Sequence, residues 1–198
     1  MQTKPNYLYR LLVSSYSVST FSEGIILPIY AVFLQEIGGG ILETSGAIAT
    51  FLIVQGIATI LIHRLPWSQR NRTHLLIYGW LLWVFGIGMY FIISNVATLF
   101  LTQVFVALGN AIADPAFDAE LDDHTDTKIK SYEWGIFEAL KDILNGVAAI
   151  VGGIVAAFFG FKVLIMFMLT AATISFLMIL HYVRARDSSV DTITPQNL

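Results

Sequence analysis

From Leu75 to Ser94 the chain reads "LLIYGWLLWVFGIGMYFIIS" without one charged residue, and "VLIMFMLTAATISFLMIL" at 163–180 does the same. A helix of about 20 such residues, rising about 1.5 Å per residue, crosses a hydrocarbon layer about 30 Å thick. A helix in a soluble bundle would instead carry a polar face with a period of about 3.6 residues, and neither stretch has one. Composition points the same way: 56% of the 198 residues are hydrophobic, 13% are charged and the mean hydropathy is +0.71. Soluble domains carry roughly 25% charged residues. The sequence therefore predicts an all-α membrane protein.

Six stretches qualify as transmembrane helices: 7–35, 44–65, 75–94, 97–121, 133–159 and 161–183. They define a bundle over 1–186 and a polar tail over 187–198. The first stretch is too long for a signal peptide and lacks a small-x-small cleavage site, so it is expected to remain as a span. Lys4, Arg10, Arg64, Arg70, Arg72, Lys128, Lys130, Arg184 and Arg186 all fall on one side of this topology, leaving Lys141 inside a span and Lys162 opposite. That bias places both termini in the cytoplasm and the protein in the plasma (inner) membrane. The opposite connections "EIGGGILE", "SNVA" and Gly160 are short, which makes sequential helices antiparallel neighbours.

Several functions are excluded or unsupported. A net charge of −3 gives no footprint for nucleic acid, and the absence of cysteine removes thiol chemistry and Cys-based zinc sites. "DDHTDTK" has a single histidine and reads as a solvated loop rather than a metal site. No nucleophile elbow, phosphate loop or paired-histidine helix occurs, so no enzyme activity, cofactor or metal is expected.

Polar residues recur at helical spacing. Gln103, Asn110, Asp114 and Asp118 share one face of the fourth span, and Glu138, Lys141, Asp142 and Asn145 share one of the fifth. Ser15, Ser19 and Glu23 do so on the first, and Ser45, Gln55, Thr59 and His63 on the second. Spans one, two, four and five are therefore expected to surround a wet path. Counting rise from each span's middle puts Glu23 within about 3 Å of the midplane, Asp114 about 7 Å inward and Lys141 about 6 Å inward. Asp118 and Glu138 lie deeper toward the cytoplasm, and Glu120 and Glu133 belong at the headgroups.

An ionised side chain at the bilayer centre costs about 2.5 to 3.5 kcal/mol, so Asp114 and Lys141, at matching depth, are expected to pair. The set Asp114, Asp118, Glu138, Lys141 and Asp142 is open to two readings, substrate or proton sites on the one hand and a charge network joining spans four and five on the other. Glu23 has no cation at its depth. It is read as a neutral acid that exchanges a proton during transport, or as one held by a serine such as Ser19. Pro28 and Pro115 are expected to bend their helices and free a carbonyl. Gly146, Gly152 and Gly153 read as close helix packing. Trp80, Trp83, Tyr90 and Tyr182 read as lipid-facing or interfacial.

Two triplets of spans, each opened by a helix with intramembrane acids and closed by an apolar one, form a 3+3 inverted repeat, which is a transporter pattern. The segments "SEGIILPIYAVFLQEIGGG", "HRLPWSQRNR", "VALGNAIADPAFDAELDD" and "GVAAIVGGIVAAFFGFKVLIMF", in this order and spacing, resemble the amino-terminal six-helix half of a major facilitator superfamily transporter. Two positions depart from the family pattern: the loop acid is replaced at or near Trp67, and Gln103 stands where an arginine is usual.

The resemblance implies a secondary active transporter, not an enzyme, that works by alternating access and is proton-coupled. Because the chain holds one six-helix half where family members have two, it is expected to assemble as a homodimer in the lipid bilayer. Its candidate proton or substrate residues are Glu23, Gln55, Asn110, Asp114, Asp118, Glu138, Lys141, Asp142 and Asn145. This acidic set favours protons and a cationic or neutral polar small molecule. A half of a heterodimeric transporter and a non-transporting scaffold subunit are the alternatives.

Overall fold

A computed structural model describes residues 7–64 and 71–191, with side chains through Ser188. Lys4, Trp67, Arg70, most of the loop between the second and third spans and the last residues of the expected tail lie outside the described residues. Among the described residues all regular structure is helical. Helix α1 (Tyr7–Gly24) breaks before a 3-10 turn at Leu27–Ile29 and resumes as α2 (Tyr30–Glu36). Next come α3 (Ile41–His63), α4 (Arg72–Met89) with a 3-10 turn at Tyr90–Ile92, and α5 (Val96–His124). The run Lys130–Asp191 is interrupted at Gly160 and gives α6 (130–159) and α7 (161–191). Its last five residues extend helix into the expected tail.

Among the described residues five stretches are long and apolar enough to span a membrane: Tyr7–Glu36, Ile41–His63, Arg72–Ile92, Val96–His124 and Lys130–Ser188. The last has 59 residues, roughly 88 Å of straight helix and far more than the hydrocarbon thickness. It folds back on itself. Gly160 has φ 79° and ψ 171°, a conformation that only glycine adopts readily. Side-chain contacts with α1 fix the directions of the two arms. The Tyr9 hydroxyl donates to the Glu133 carbonyl, and Gly24 lies against Asn145 and Ala148, so α6 runs parallel to α1. Ser175 Oγ donates to the Ser15 carbonyl and Ser22 Oγ to the Met168 carbonyl, so α7 returns antiparallel.

Pro28 sits in the 3-10 turn and supplies the expected break in the first span. Pro115 lies inside α5 and has no N–H for the Ala111 carbonyl four residues earlier. His63 Nε2 donates to that carbonyl at 3.1 Å, so a neighbouring helix supplies the missing donor.

Of the three glycines assigned to packing, only Gly152 meets a neighbour. A Cβ there would lie 1.9 Å from the Ile25 carbonyl oxygen, whereas Gly146 and Gly153 have nothing within 4 Å of that position. The fifth span therefore seats on the break in the first most closely at Gly152, and the other two glycines have open space beside them.

The third span also departs from expectation. Its Trp80 and Trp83 are expected at lipid or the interface, yet half of its apolar window is buried, with Leu76, Trp80 and Trp83 in the core. The second span is the uncovered one: 11% of its window is buried, and Ala47 and Ala58 are its buried residues.

Gly152→Val is expected to destabilise the bundle by about 1 to 3 kcal/mol through overpacking against Ile25. Gly153→Ala should leave stability unchanged or raise it slightly. Unfolding midpoints in lipid nanodiscs compare the two, and equal midpoints would refute the seating role of Gly152.

Candidate functional site

A cavity of ≈ 250 Å³ opens between α1, α3, α4 and α5. Glu23 enters from the last turn of α1, Gln55 and Phe51 from α3, Trp80 and Trp83 from α4, and Asn110 and Asp114 from α5. The path was expected between spans one, two, four and five. In the structure the third span supplies a wall in place of the fifth, because small residues let α4 and α5 touch along their length. A Cβ on Gly109 would lie 2.6 Å from the Trp83 backbone nitrogen, so the absent side chain lets Trp83 reach across α5 into the cavity.

Glu23 Oε1 accepts hydrogen bonds from Trp83 Nε1 at 2.7 Å and from Asn110 Nδ2 at 3.3 Å. Ser19, the expected partner, donates to the Tyr16 carbonyl of its own helix instead. Asp114 Oδ2 accepts from Gln55 Nε2 at 3.2 Å. Both carboxylates are thus held by neutral donors.

The expected Asp114–Lys141 pair does not form. Lys141 Nζ lies 3.0 Å from Glu138 Oε2, one turn away on the same helix, and sits 5.6 Å from the Tyr16 ring centroid and 5.4 Å from that of Phe137. Matching depth did not specify rotation about the helix axis, and the carboxylate at i−3 was nearer.

The remaining site candidates separate by position. Asp118, Glu138 and Asp142 are exposed. Asn145 is half-buried, its Oδ1 standing 2.7 Å from where a Cβ on Gly24 would be. The structure therefore gathers Glu23, Gln55, Asn110 and Asp114 into one cavity and leaves Asp118, Glu138, Lys141 and Asp142 outside its lining.

The four aromatics expected at the lipid boundary are buried and hydrogen-bonded. Trp80 Nε1 donates to Ser175 Oγ at 2.9 Å, and Trp83 reaches Glu23. Gln103 Nε2 donates to the hydroxyls of Tyr90 and Tyr30 at 2.9 and 2.7 Å, tying α2 to the ends of α4 and α5. Tyr182 donates to Glu120 Oε2 at 2.7 Å. Each ring found a polar partner on another helix, which buried Trp and Tyr require.

Glu120 is the residue sequence reasoning misplaced most. Assigned to the headgroups, it is fully buried. Its carboxylate lies 3.3 Å from Arg186 and 3.9 Å from Arg72, and Arg72 also bonds Asp123 at 2.7 Å. Arg186 further donates to Thr73. One acid thus joins α4, α5 and α7 at the end of the bundle where these basic residues cluster. The available signal was the spacing of Phe117, Glu120, Leu121 and His124, which puts Glu120 on the inward side of its helix.

A membrane-spanning helical bundle with a polar cavity beside a broken helix defines an integral membrane protein of the transport class. The family model described as Major Facilitator Superfamily matches residues 12–198, and the chain belongs to that family. No curated protein matches the chain.

Tyr182→Phe leaves Glu120 Oε2 without its donor and is expected to cost about 1 to 3 kcal/mol. Denaturant unfolding in nanodiscs measures it, and an unchanged midpoint would show that the Glu120 cluster does not hold these three helices.

Proposed function

We propose that the protein is a secondary active transporter that moves a small solute by alternating access, with Glu23 exchanging the coupling proton. The carrying observation is the Glu23 site: a carboxylate in the last turn of α1, beside a helix break, held by Trp83 and Asn110 and opening onto a cavity. A carboxyl held by neutral donors can lose or regain its proton without breaking an ion pair. Intramembrane acids of this kind are functional by default.

The chain supplies one side of the transport path, and a second copy of it supplies the other. Exposed acids support this: Asp118 on α5 and Glu138 and Asp142 on α6 lie open in the single chain. Such acids are costly against lipid and call for a polar cover. The single bundle over 1–186 is read as a 3+3 inverted repeat, supported by the proline-interrupted first span of each triplet, both of which line the cavity. The clustering of Arg72, Lys130 and Arg186 at one end supports a plasma membrane orientation with both termini cytoplasmic.

The absence of cysteine allows a direct test. Ser19→Cys and Asn145→Cys are each expected to react with an impermeant maleimide from either face of oriented vesicles. Labelling from neither face would favour a scaffold whose polar residues are covered by another protein, and labelling from one face only would overturn alternating access. A mass measurement in lipid that finds only single copies would remove the homodimer. In proteoliposomes screened with a solute panel, Glu23→Gln is expected to abolish accumulation driven by a pH gradient. Retained accumulation would remove Glu23 from coupling.

A further inference from the structure

Beyond the cavity that holds Glu23 lies a second one of ≈ 290 Å³, toward the end of the bundle opposite the basic cluster. Glu23 and Phe51 line both. The two differ in chemistry. The first contains both carboxylates, Glu23 and Asp114, among the rings of Tyr16, Trp80 and Trp83. The second is walled by aliphatic side chains such as Ile48, Leu52, Ile87 and Val106. Its polar members Tyr30, Tyr90 and Gln103 are already bonded to one another. No lysine, arginine or histidine lines either compartment among the described residues.

We propose that these adjoining compartments together bind an amphiphilic organic monocation, its charged head beside Glu23 and Asp114 and its apolar body in the aliphatic compartment. Two carboxylates facing one cavity repel each other when ionised, and a cation between them relieves that repulsion. Aromatic faces stabilise a quaternary ammonium, which needs no hydrogen-bond acceptor. A divalent metal would require about six or more oxygen ligands, and the aromatic walls offer too few. An anion would find two carboxylates and no positive partner in the lining, Lys141 being held by Glu138. A sugar-like solute would find few unpaired hydrogen-bonding groups in the second compartment. The charge selects the head and the aliphatic wall selects the body.

This inference deepens the transport reading and rests on it for the cation being cargo. The test titrates the full chain in nanodiscs, following intrinsic tryptophan fluorescence, to which Trp80 and Trp83 in the cavity wall contribute, with four probes. Benzyltrimethylammonium carries head and body, tetramethylammonium the head alone, benzyl alcohol the body alone, and phenylacetate the opposite charge. Benzyltrimethylammonium is expected to bind at least about tenfold more tightly than each of the others. Glu23→Gln and Asp114→Asn should each weaken it by about tenfold, while Leu52→Asn should weaken it but leave tetramethylammonium unchanged.

Equal or tighter binding of benzyl alcohol or phenylacetate to the unmodified protein overturns the cation assignment without relying on any variant. Tetramethylammonium binding as tightly as benzyltrimethylammonium overturns the role of the aliphatic compartment. If no probe binds while introduced cysteines still label from both faces, the ligand class is wrong and transport stands. If the cation binds but labelling does not alternate, the site stands and transport fails.

Discussion

A polar group inside hydrocarbon has no water to turn to, and in this bundle several of the buried ones are answered from another helix. Ser22 on α1 bonds the Met168 carbonyl on α7, Trp80 on α4 bonds Ser175 on α7, and Tyr182 on α7 bonds Glu120 on α5. Apolar surfaces alone give little preference for one helix contact over another, because lipid tails are as apolar as leucine. The hydrogen bonds therefore set which helices meet and in what register. The same requirement accounts for His63 at the Ala111 carbonyl, where Pro115 removed the usual donor.

The parts of the fold legible in the sequence were those governed by local composition. Long apolar runs marked the passages across the membrane, Pro28 marked the break in the first, and Gly160 marked the reversal between α6 and α7. Glu23 stood out because no cation shared its depth. Contacts that depend on rotation about a helix axis were hidden. Depth suggested Lys141 for Asp114, but the structure gives Asp114 to Gln55 on α3, a helix separated from it by 59 positions in sequence.

The aromatics failed for a related reason. Trp and Tyr suit both the membrane boundary and a buried polar partner, and the deciding partner lies on another helix. Glu120 near a helix end resembles any headgroup acid until Arg72, Tyr182 and Arg186 are brought to it from two other helices. Hydropathy reports how deep a residue sits and says little about what it faces.

The first span is held unequally along its length. Below the break, α1 lies between the two arms of the Gly160 hairpin and is bonded to them through Tyr9, Ser15 and Ser22. Above it, α2 is secured by Tyr30 to Gln103 and by the rings of Phe33 against Tyr90 and Phe161. At the junction, the Ile25 carbonyl rests on Gly152. The span is thus a lever clamped along one arm, with Gly152 as its fulcrum and Glu23 two residues from the pivot. A small swing of the far arm would displace that carboxylate little while moving Tyr30 much further.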